Sequence, residues 1–233
     1  PNHPSLGNSL NNLGNVAQAR GDYEAANKLH VEAFDVWKTA LGPNHPNLAS
    51  VLNNLGIDAK RQGNYDEAIE YYEHALEVAK VAMGPDHPQV GMMLNNVANV
   101  AHDQGNEDKA REFYEKALEV FTKKFGEEHA HVGTVVANLS AVAIGQKDFE
   151  AANTYSERAL AIVEATTEPT HPRVATVLTA RARALLALER PVEALPFIER
   201  AKKIRIERET DPATMAEVDS ALGRALWYAP KGQ

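Results

Sequence analysis

The sequence has no cysteine, and only 6% of its 233 residues are aromatic. The lack of cysteine excludes disulfides, thiolate metal ligands and cysteine nucleophiles together. It is compatible with a reducing compartment, and we expect a cytoplasmic protein. Glycine and proline are also sparse, with 14 and 12 residues, which excludes collagen-like and low-complexity chains. What remains is the composition of a globular chain rich in helix formers.

Long apolar runs are missing as well. No stretch approaches the roughly 18 apolar residues that a membrane span requires, and no charged and then apolar leader opens the sequence. We therefore expect no membrane association. The sequence begins at Pro1 rather than at Met, so we expect it to be a fragment of a longer protein.

Positive charge is in short supply, since 24 Lys and Arg stand against 32 Asp and Glu for a formal charge of −8. Only the region 170–210 is basic, with 9 Lys and Arg against 5 Asp and Glu. Nucleic-acid binding rests on neutralising many phosphates, so we expect no nucleic-acid partner. Within that region the segment Glu199–Arg208 alternates its charges, which is typical of a solvated helix face. A docking patch for an acidic partner is the alternative.

The sequence does contain a repeat with a period of 42 residues. The unit His45–Met83 recurs in both directions, and each copy starts with His, followed by Pro in all but the fourth copy. These starting dipeptides are His3-Pro4, His45-Pro46, His87-Pro88, His129-Ala130 and His171-Pro172. A fixed period of this length predicts a solenoid whose units pack on their neighbours.

The interior of the unit repeats too, and it carries a family resemblance. Its landmarks are Leu55-Gly56, Gly63, Tyr65, Ala68, Tyr72 and Ala75-Leu76. They resemble a tetratricopeptide repeat, and the 42-residue period headed by His-Pro is similar to the kinesin-light-chain variety. The resemblance covers nearly the whole chain and implies an all-α fold, a right-handed α-solenoid of antiparallel helix pairs. It is specific for fold and says little about function.

We expect a single array over residues 1–229. Its copies are predicted at residues 3–44, 45–86, 87–128, 129–170 and 171–210, a capping helix at 211–229 closes the stack, and 230–233 form a frayed tail. The fifth copy is the least regular, because Arg181 stands where the second copy has Leu55.

Each copy is predicted to fold as two helices. Pro46 favours the start of a first helix, and the residue before a proline, here His45, is kept out of the helical region. Gly63 suits the left-handed residue that ends this helix. In the fourth copy that position is Lys147, so we expect a turn there that is built differently or is strained.

Motifs for catalysis are missing. The sequence has no glycine-rich phosphate loop, no H-E-x-x-H and no G-x-S-x-G. Five of its nine His stand one per copy, so we interpret them as helix-start residues rather than metal ligands. His129 and His131 form a weak candidate zinc pair, because no further ligand is evident nearby. We therefore expect a non-enzymatic protein with no catalytic residue, no metal and no cofactor.

Asparagine is unusually frequent in the first helices of the first three copies. Its amide competes for backbone hydrogen bonds and weakens helix interiors, so this recurrence requires a compensating use. Asn11, Asn53 and Asn95 stand one period apart. In tetratricopeptide proteins the first helices line a concave groove, and an Asn two residues before the Leu-Gly pair contacts the backbone of an extended peptide. The resemblance implies this role for these three residues, whereas Ala137 and Thr179 in the later copies do not match.

Further residues on the same helices are predicted to extend this groove, with Arg61 at its edge. The complete set of predicted peptide-binding residues is Asn11, Asn15, Asn53, Lys60, Arg61, Asn95, Asn99 and His102. The alternative is that the asparagines only bridge adjacent first helices. We assign that role mainly to Asn12, Asn54, Asn96 and Asn138, which lie one residue later and are rotated by about 100°.

Two functions follow as hypotheses. The first is a module that binds a peptide or protein segment, with a monomer favoured. The second is a scaffold or spacer arm that self-associates. The Ala- and Arg-rich style of residues 181–201 also resembles the tetratricopeptide tails of large bacterial signalling proteins, some of which carry a kinase domain upstream. That resemblance implies a recognition arm, and the 233 residues contain no kinase motif.

Overall fold

The computed structural model describes residues 3–208 and 212–228, and for residues 212–214 it describes the backbone alone. In this part of the chain the regular structure is entirely α-helical. The helices are α1 (Pro4–Ala19), α2 (Tyr23–Leu41), α3 (Pro46–Arg61), α4 (Tyr65–Met83), α5 (Pro88–Asp103), α6 (Glu107–Phe125), α7 (Ala130–Gly145), α8 (Phe149–Thr166), α9 (Pro172–Ala187), α10 (Pro191–Arg208) and α11 (Pro212–Tyr228). The predicted fold class is confirmed, and the predicted frayed tail lies outside the described residues.

Every first helix begins as the sequence predicts, directly after the repeated His. The backbone of His45 is extended, and its Nδ1 accepts a hydrogen bond from the backbone N–H of Asn47 at 3.2 Å. The same cap forms at His3, His87, His129 and His171. The interpretation of these five His as helix-start residues is confirmed, including in the copy that has Ala130 in place of proline.

The turns between paired helices need a left-handed residue. Gly63 has φ +82°, which costs a glycine nothing because it has no Cβ. In the fourth and fifth copies the same position holds Lys147 at φ 62° and Glu189 at φ 58°. The predicted strain in the fourth copy is confirmed. The fifth copy shares this strain at Glu189.

The contacts divide the chain into two compact units, Pro1–Val120 and Phe121–Gln233. In the first unit α1 packs on α2 and α3 packs on α4, while α3 and α5 each pack on the second helix of the preceding copy. Tyr72 of α4 lies against Gly56 of α3 and shares a core cluster with Val97 and Val100 of α5. Leu55 is buried. A shared core of this kind makes each copy depend on its neighbour.

The second unit repeats this packing. In it α7 pairs with α8, α8 packs on α9, and α9 pairs with α10. Helix α11 packs on α10 and α9 and is the capping helix that the sequence predicts. Arg181 keeps the fifth copy regular, because its guanidinium donates to Asn153 Oδ1 at 2.6 Å and to Ser156 Oγ at 3.2 Å. A helix-to-helix hydrogen-bond cluster replaces the apolar contact of the other copies.

No helix in the described part of the chain is both long enough and apolar enough to span a bilayer.

Candidate functional site

All eight predicted peptide-binding residues lie on first helices of the first unit. Asn11 and Asn15 belong to α1; Asn53, Lys60 and Arg61 belong to α3; Asn95, Asn99 and His102 belong to α5. Direct side-chain contacts join these three helices along one face. Side-chain hydrogen bonds connect α1 to α3 and α3 to α5 at Asn11, Asn15 and Asn53.

The connection is made by amide-to-amide hydrogen bonds between neighbouring copies. Asn54 Nδ2 of α3 donates to Asn11 Oδ1 of α1 at 3.1 Å, and Asn96 Nδ2 of α5 donates to Asn53 Oδ1 of α3 at 2.8 Å. The predicted bridging role is confirmed for Asn54 and Asn96. We call this chain of Asn11, Asn54, Asn53 and Asn96 the amide row.

The side-chain oxygens of two more predicted site residues, Asn15 and Asn99, contact a side chain on the second helix of the same copy. His30 Nε2 lies 3.2 Å from Asn15 Oδ1, and the Tyr114 hydroxyl donates to Asn99 Oδ1 at 2.6 Å. His30 and Tyr114 hold the same position, two periods apart. Burial raises the pKa of Tyr114, with Asp103 and Glu107 adding to the effect, so its hydroxyl keeps its proton and remains a donor.

The charged residues beside the amide row are matched by opposite charges. Lys60 Nζ lies 2.9 Å from Asp103 Oδ2, and His102 Nδ1 lies 2.7 Å from Glu107 Oε2. Both pairs are partly exposed, so water screens them. Lys60 and His102 therefore contribute little charge selectivity at this edge.

Sequence reasoning missed a buried polar pair beneath the row. His30 of α2 and Asp58 of α3 are both fully buried, with His30 Nδ1 and Asp58 Oδ2 2.6 Å apart. Gln18 Nε2 donates to the other carboxylate oxygen of Asp58 at 2.8 Å. An alignment of the copies could have revealed this pair, because Asp58 stands at the position that holds Val100 one period later. An acid in an apolar column indicates a buried partner.

The second unit contains a pocket of about 790 Å³ at the turns that end its first helices. Among its lining residues are the two left-handed residues Lys147 and Glu189, the apolar Phe149 and Leu186, and Arg224 of α11. Sequence reasoning did not predict this pocket, because the turns of two copies and the capping helix form it together. It lies outside the first unit, where the amide row is found.

His129 and His131 belong to an aromatic cluster. The His129 ring stacks on Phe125 with centroids 4.2 Å apart, and the His131 ring stacks on Phe121 at 5.0 Å. Burial lowers the pKa of His131, with smaller contributions from Arg173 and His129. Within the described residues no three His, Cys, Asp or Glu side chains come together as metal ligands.

The comparisons with known proteins agree with this architecture. The tetratricopeptide repeat model matches residues 5–80, 57–123, 89–165 and 131–207. BtubC (BKLC) from P. vanneervenii is similar with a TM-score of 0.72 and 26% identity, over 88% of this chain and 81% of that one. No curated protein matches the sequence.

Two structures of a putative kinesin light chain from Podosopora anserina with nearly identical TPR-like repeats share the fold at 21% identity. One has a TM-score of 0.69 over 89% of this chain and 99% of that chain. The other, a point variant of the same protein, has a TM-score of 0.70 over 88% and 97%. Structural neighbours of this chain are thus kinesin-light-chain-like. Tetratricopeptide repeats are generally protein–protein interaction modules and typically non-catalytic scaffolds. With 42-residue helix pairs over most of its length and a family model that matches four overlapping stretches, this chain belongs to the tetratricopeptide repeat family.

Proposed function

We propose that the chain is a non-catalytic interaction module whose first three copies hold an extended peptide or protein segment in a concave groove. The amide row is the observation that supports this most directly. A row of carboxamides, fixed one copy apart, suits the repeating polar groups of an extended backbone.

The mechanism is passive. The row is held in place by its own hydrogen bonds and by a tightly packed core beneath it, so the surface is ordered before the partner arrives. A preformed surface lowers the conformational cost of binding for one of the two partners. Affinity then depends on how well an extended segment matches the spacing of the copies.

An array of short unselected peptides, followed by calorimetric titration of the best binder, tests this proposal. We expect the double substitution Asn53→Ala/Asn95→Ala to raise the dissociation constant about 10- to 30-fold, since each lost hydrogen bond contributes about 1 kcal/mol. The matched control is Asn12→Ala, because the side chain of Asn12 is exposed on α1 and has no hydrogen bond to another described residue. Unchanged affinity in the double variant would refute groove binding.

A scaffold that self-associates is the second candidate, and one observation favours it. Leu6, Leu13 and Val16 of α1 are 43%, 57% and 49% exposed, whereas Leu48 and Leu55, one period after the first two, are buried. An exposed apolar stripe of this kind can pack on another helix pair. Light scattering coupled to size-exclusion chromatography separates the candidates. We expect a monomer, and a stable oligomer that captures no peptide would favour the scaffold.

A further inference from the structure

The pocket of the second unit is lined by one repeat position three times over. Ile144 of α7, Leu186 of α9 and Tyr228 of α11 stand one period apart, and all three line the pocket. In the first unit this position is polar, and each of its side chains is bonded within the protein, at Gln18, Lys60 and His102. The second unit therefore replaces a partnered polar column with an apolar lining.

Two charged residues replace glycine at the same pocket. Lys147 and Glu189 stand at the position that holds glycine in the first three copies, and both have positive φ. A residue with a Cβ resists this conformation, whereas glycine adopts it freely. Among the described residues these are the two non-glycine residues with positive φ, and both line this pocket. Strained residues cluster at functional sites, where the side chain has a use that glycine cannot serve.

The charges at the pocket have no counterpart within the described part of the chain. The side chains of Lys147, Glu189 and Arg224 form no hydrogen bond or ion pair with another described residue, nor with one another. A charged pair does form close by, since Arg183 Nη1 lies 2.8 Å from Glu217 Oε1. A wall with two uncompensated cations and one uncompensated anion suits a ligand that carries charges of both signs.

We propose that this pocket is a binding site for a small zwitterion with an apolar body, and that its ligand is an apolar α-amino acid. The cations Lys147 and Arg224 receive the carboxylate, and Glu189 receives the ammonium group. The apolar side chain lies against Phe149 and Leu186, which removes its surface from water. This inference adds a second site and does not depend on the amide row.

The dimensions agree with a small ligand. The pocket volume of about 790 Å³ falls within the range of about 300–1,000 Å³ that is typical of small-molecule sites. Lys147 and Glu189 belong to successive copies, and packed helices lie about 8–10 Å apart. Their long side chains can therefore converge on a ligand that lies between them.

Ligands with a single charge fit this wall less well. A simple carboxylate leaves Glu189 beside a like charge, and a simple amine has the same penalty at Lys147 and Arg224. An α-amino acid avoids both penalties, because it presents the opposite charge to each group.

The first test is a calorimetric titration of the full chain with four compounds. These are L-phenylalanine, phenylpropionate without the ammonium group, phenylethylamine without the carboxylate, and L-alanine without the large apolar body. We expect L-phenylalanine to bind most tightly and each of the others at least about tenfold more weakly, since each lacks one of the three contacts. Equal binding of phenylpropionate or phenylethylamine would overturn the zwitterion assignment. No binding of L-phenylalanine, L-leucine or L-methionine at about 10 mM would overturn the ligand class.

The second test exchanges ligand preference by one substitution. In Glu189→Gln the repulsion of simple carboxylates is removed, so we expect phenylpropionate to bind at least as tightly as L-phenylalanine. In Lys147→Gln we expect the dissociation constant of L-phenylalanine to rise about tenfold. Lys203→Gln is the matched control, because Lys203 is exposed on α10 and is not among the lining residues. It should change the affinity by less than about twofold, since water screens an exposed charge.

The third test separates binding from packing. Lys147→Gly restores the residue of the first three copies, so the melting temperature should rise while the affinity for L-phenylalanine falls about tenfold. A higher melting temperature with unchanged affinity would overturn the role of Lys147 in the site. The variant Asn53→Ala/Asn95→Ala should bind L-phenylalanine as the native chain does, so this site and the peptide groove fail or stand separately.

Discussion

At the scale of residues, the packing interface between the first and second copies differs chemically from the interface between the second and third. His30 and Asp58 occupy the positions that hold Tyr72 and Val100 one period later, where a tyrosine and a valine share an apolar core. A buried polar pair loses hydration that its own hydrogen bond only partly restores, so an apolar pair of similar size is often as stable or more so.

We expect Asp58→Val alone to destabilise the fold by about 1–3 kcal/mol, because it leaves the buried Nδ1 of His30 without its hydrogen-bond partner. The double substitution His30→Tyr/Asp58→Val should recover that loss, since Gly14 lies against His30 as Gly56 lies against Tyr72. Thermal unfolding followed by circular dichroism measures both. A double variant no more stable than the single would mean that the two interfaces are packed differently.

Acid should weaken the second unit through His131. Burial lowers the pKa of this side chain, so the folded state binds its proton less readily than the unfolded state. The stability that this provides is complete above the ordinary imidazole pKa of about 6.5 and is lost as the pH falls below it. We expect the melting temperature to drop between about pH 7 and pH 5, and to drop less in His131→Gln, which copies Gln89 of the third copy. Equal drops in both proteins would contradict the prediction.

At the scale of elements, the turns separate the regular copies from the irregular ones. Lys147 and Glu189 take a left-handed conformation that costs a residue with a Cβ about 1–2 kcal/mol. Lys147→Gly removes this strain but adds conformational freedom to the unfolded chain, so we expect a net gain of about 0.5–1 kcal/mol. The reverse change, Gly63→Lys in the second copy, should destabilise by a similar amount. Chemical unfolding midpoints measure both variants, and opposite signs are the expected result.

Helix positions were predictable because their signals are local. The repeated His, the proline that follows it in four of the five copies and the glycine or its substitute at each turn act within a few residues. Helix α3 begins at Pro46 as the sequence predicts. The orientation of an asparagine amide is not local. It depends on which atoms of the neighbouring copies lie within about 3 Å of it, and those distances exist only in the folded chain. The predicted binding roles of the eight site residues remain predictions, whereas the bridges at Asn54 and Asn96 are observed.

At the scale of the whole molecule, the charge is unevenly distributed. The formal charge of −8 belongs to residues 1–120, while residues 121–233 contain 15 acidic and 15 basic side chains. Long-range attraction speeds the encounter with an oppositely charged partner, and salt weakens it over a distance of about 8–10 Å.

We therefore expect array peptides with a net positive charge to bind more tightly than neutral ones of equal length at low salt. The difference should shrink as the ionic strength rises to about 0.5 M. Titrations at several salt concentrations measure this, with a sequence-scrambled peptide of the same charge as the control. An advantage that is independent of salt would show that charge distribution plays no part in binding.

Similar repeats in one chain can misfold when a helix pair packs against the wrong neighbouring repeat. The buried His30–Asp58 pair makes such an error costly. A chain that slipped by one copy would place an imidazole against Val100 and an aspartate against Tyr72, and each would be left inside the core without its counterpart. The pair thus makes the contact between the first two copies chemically distinct from the others. This disfavours both slippage within a chain and the exchange of helix pairs between two molecules of the protein.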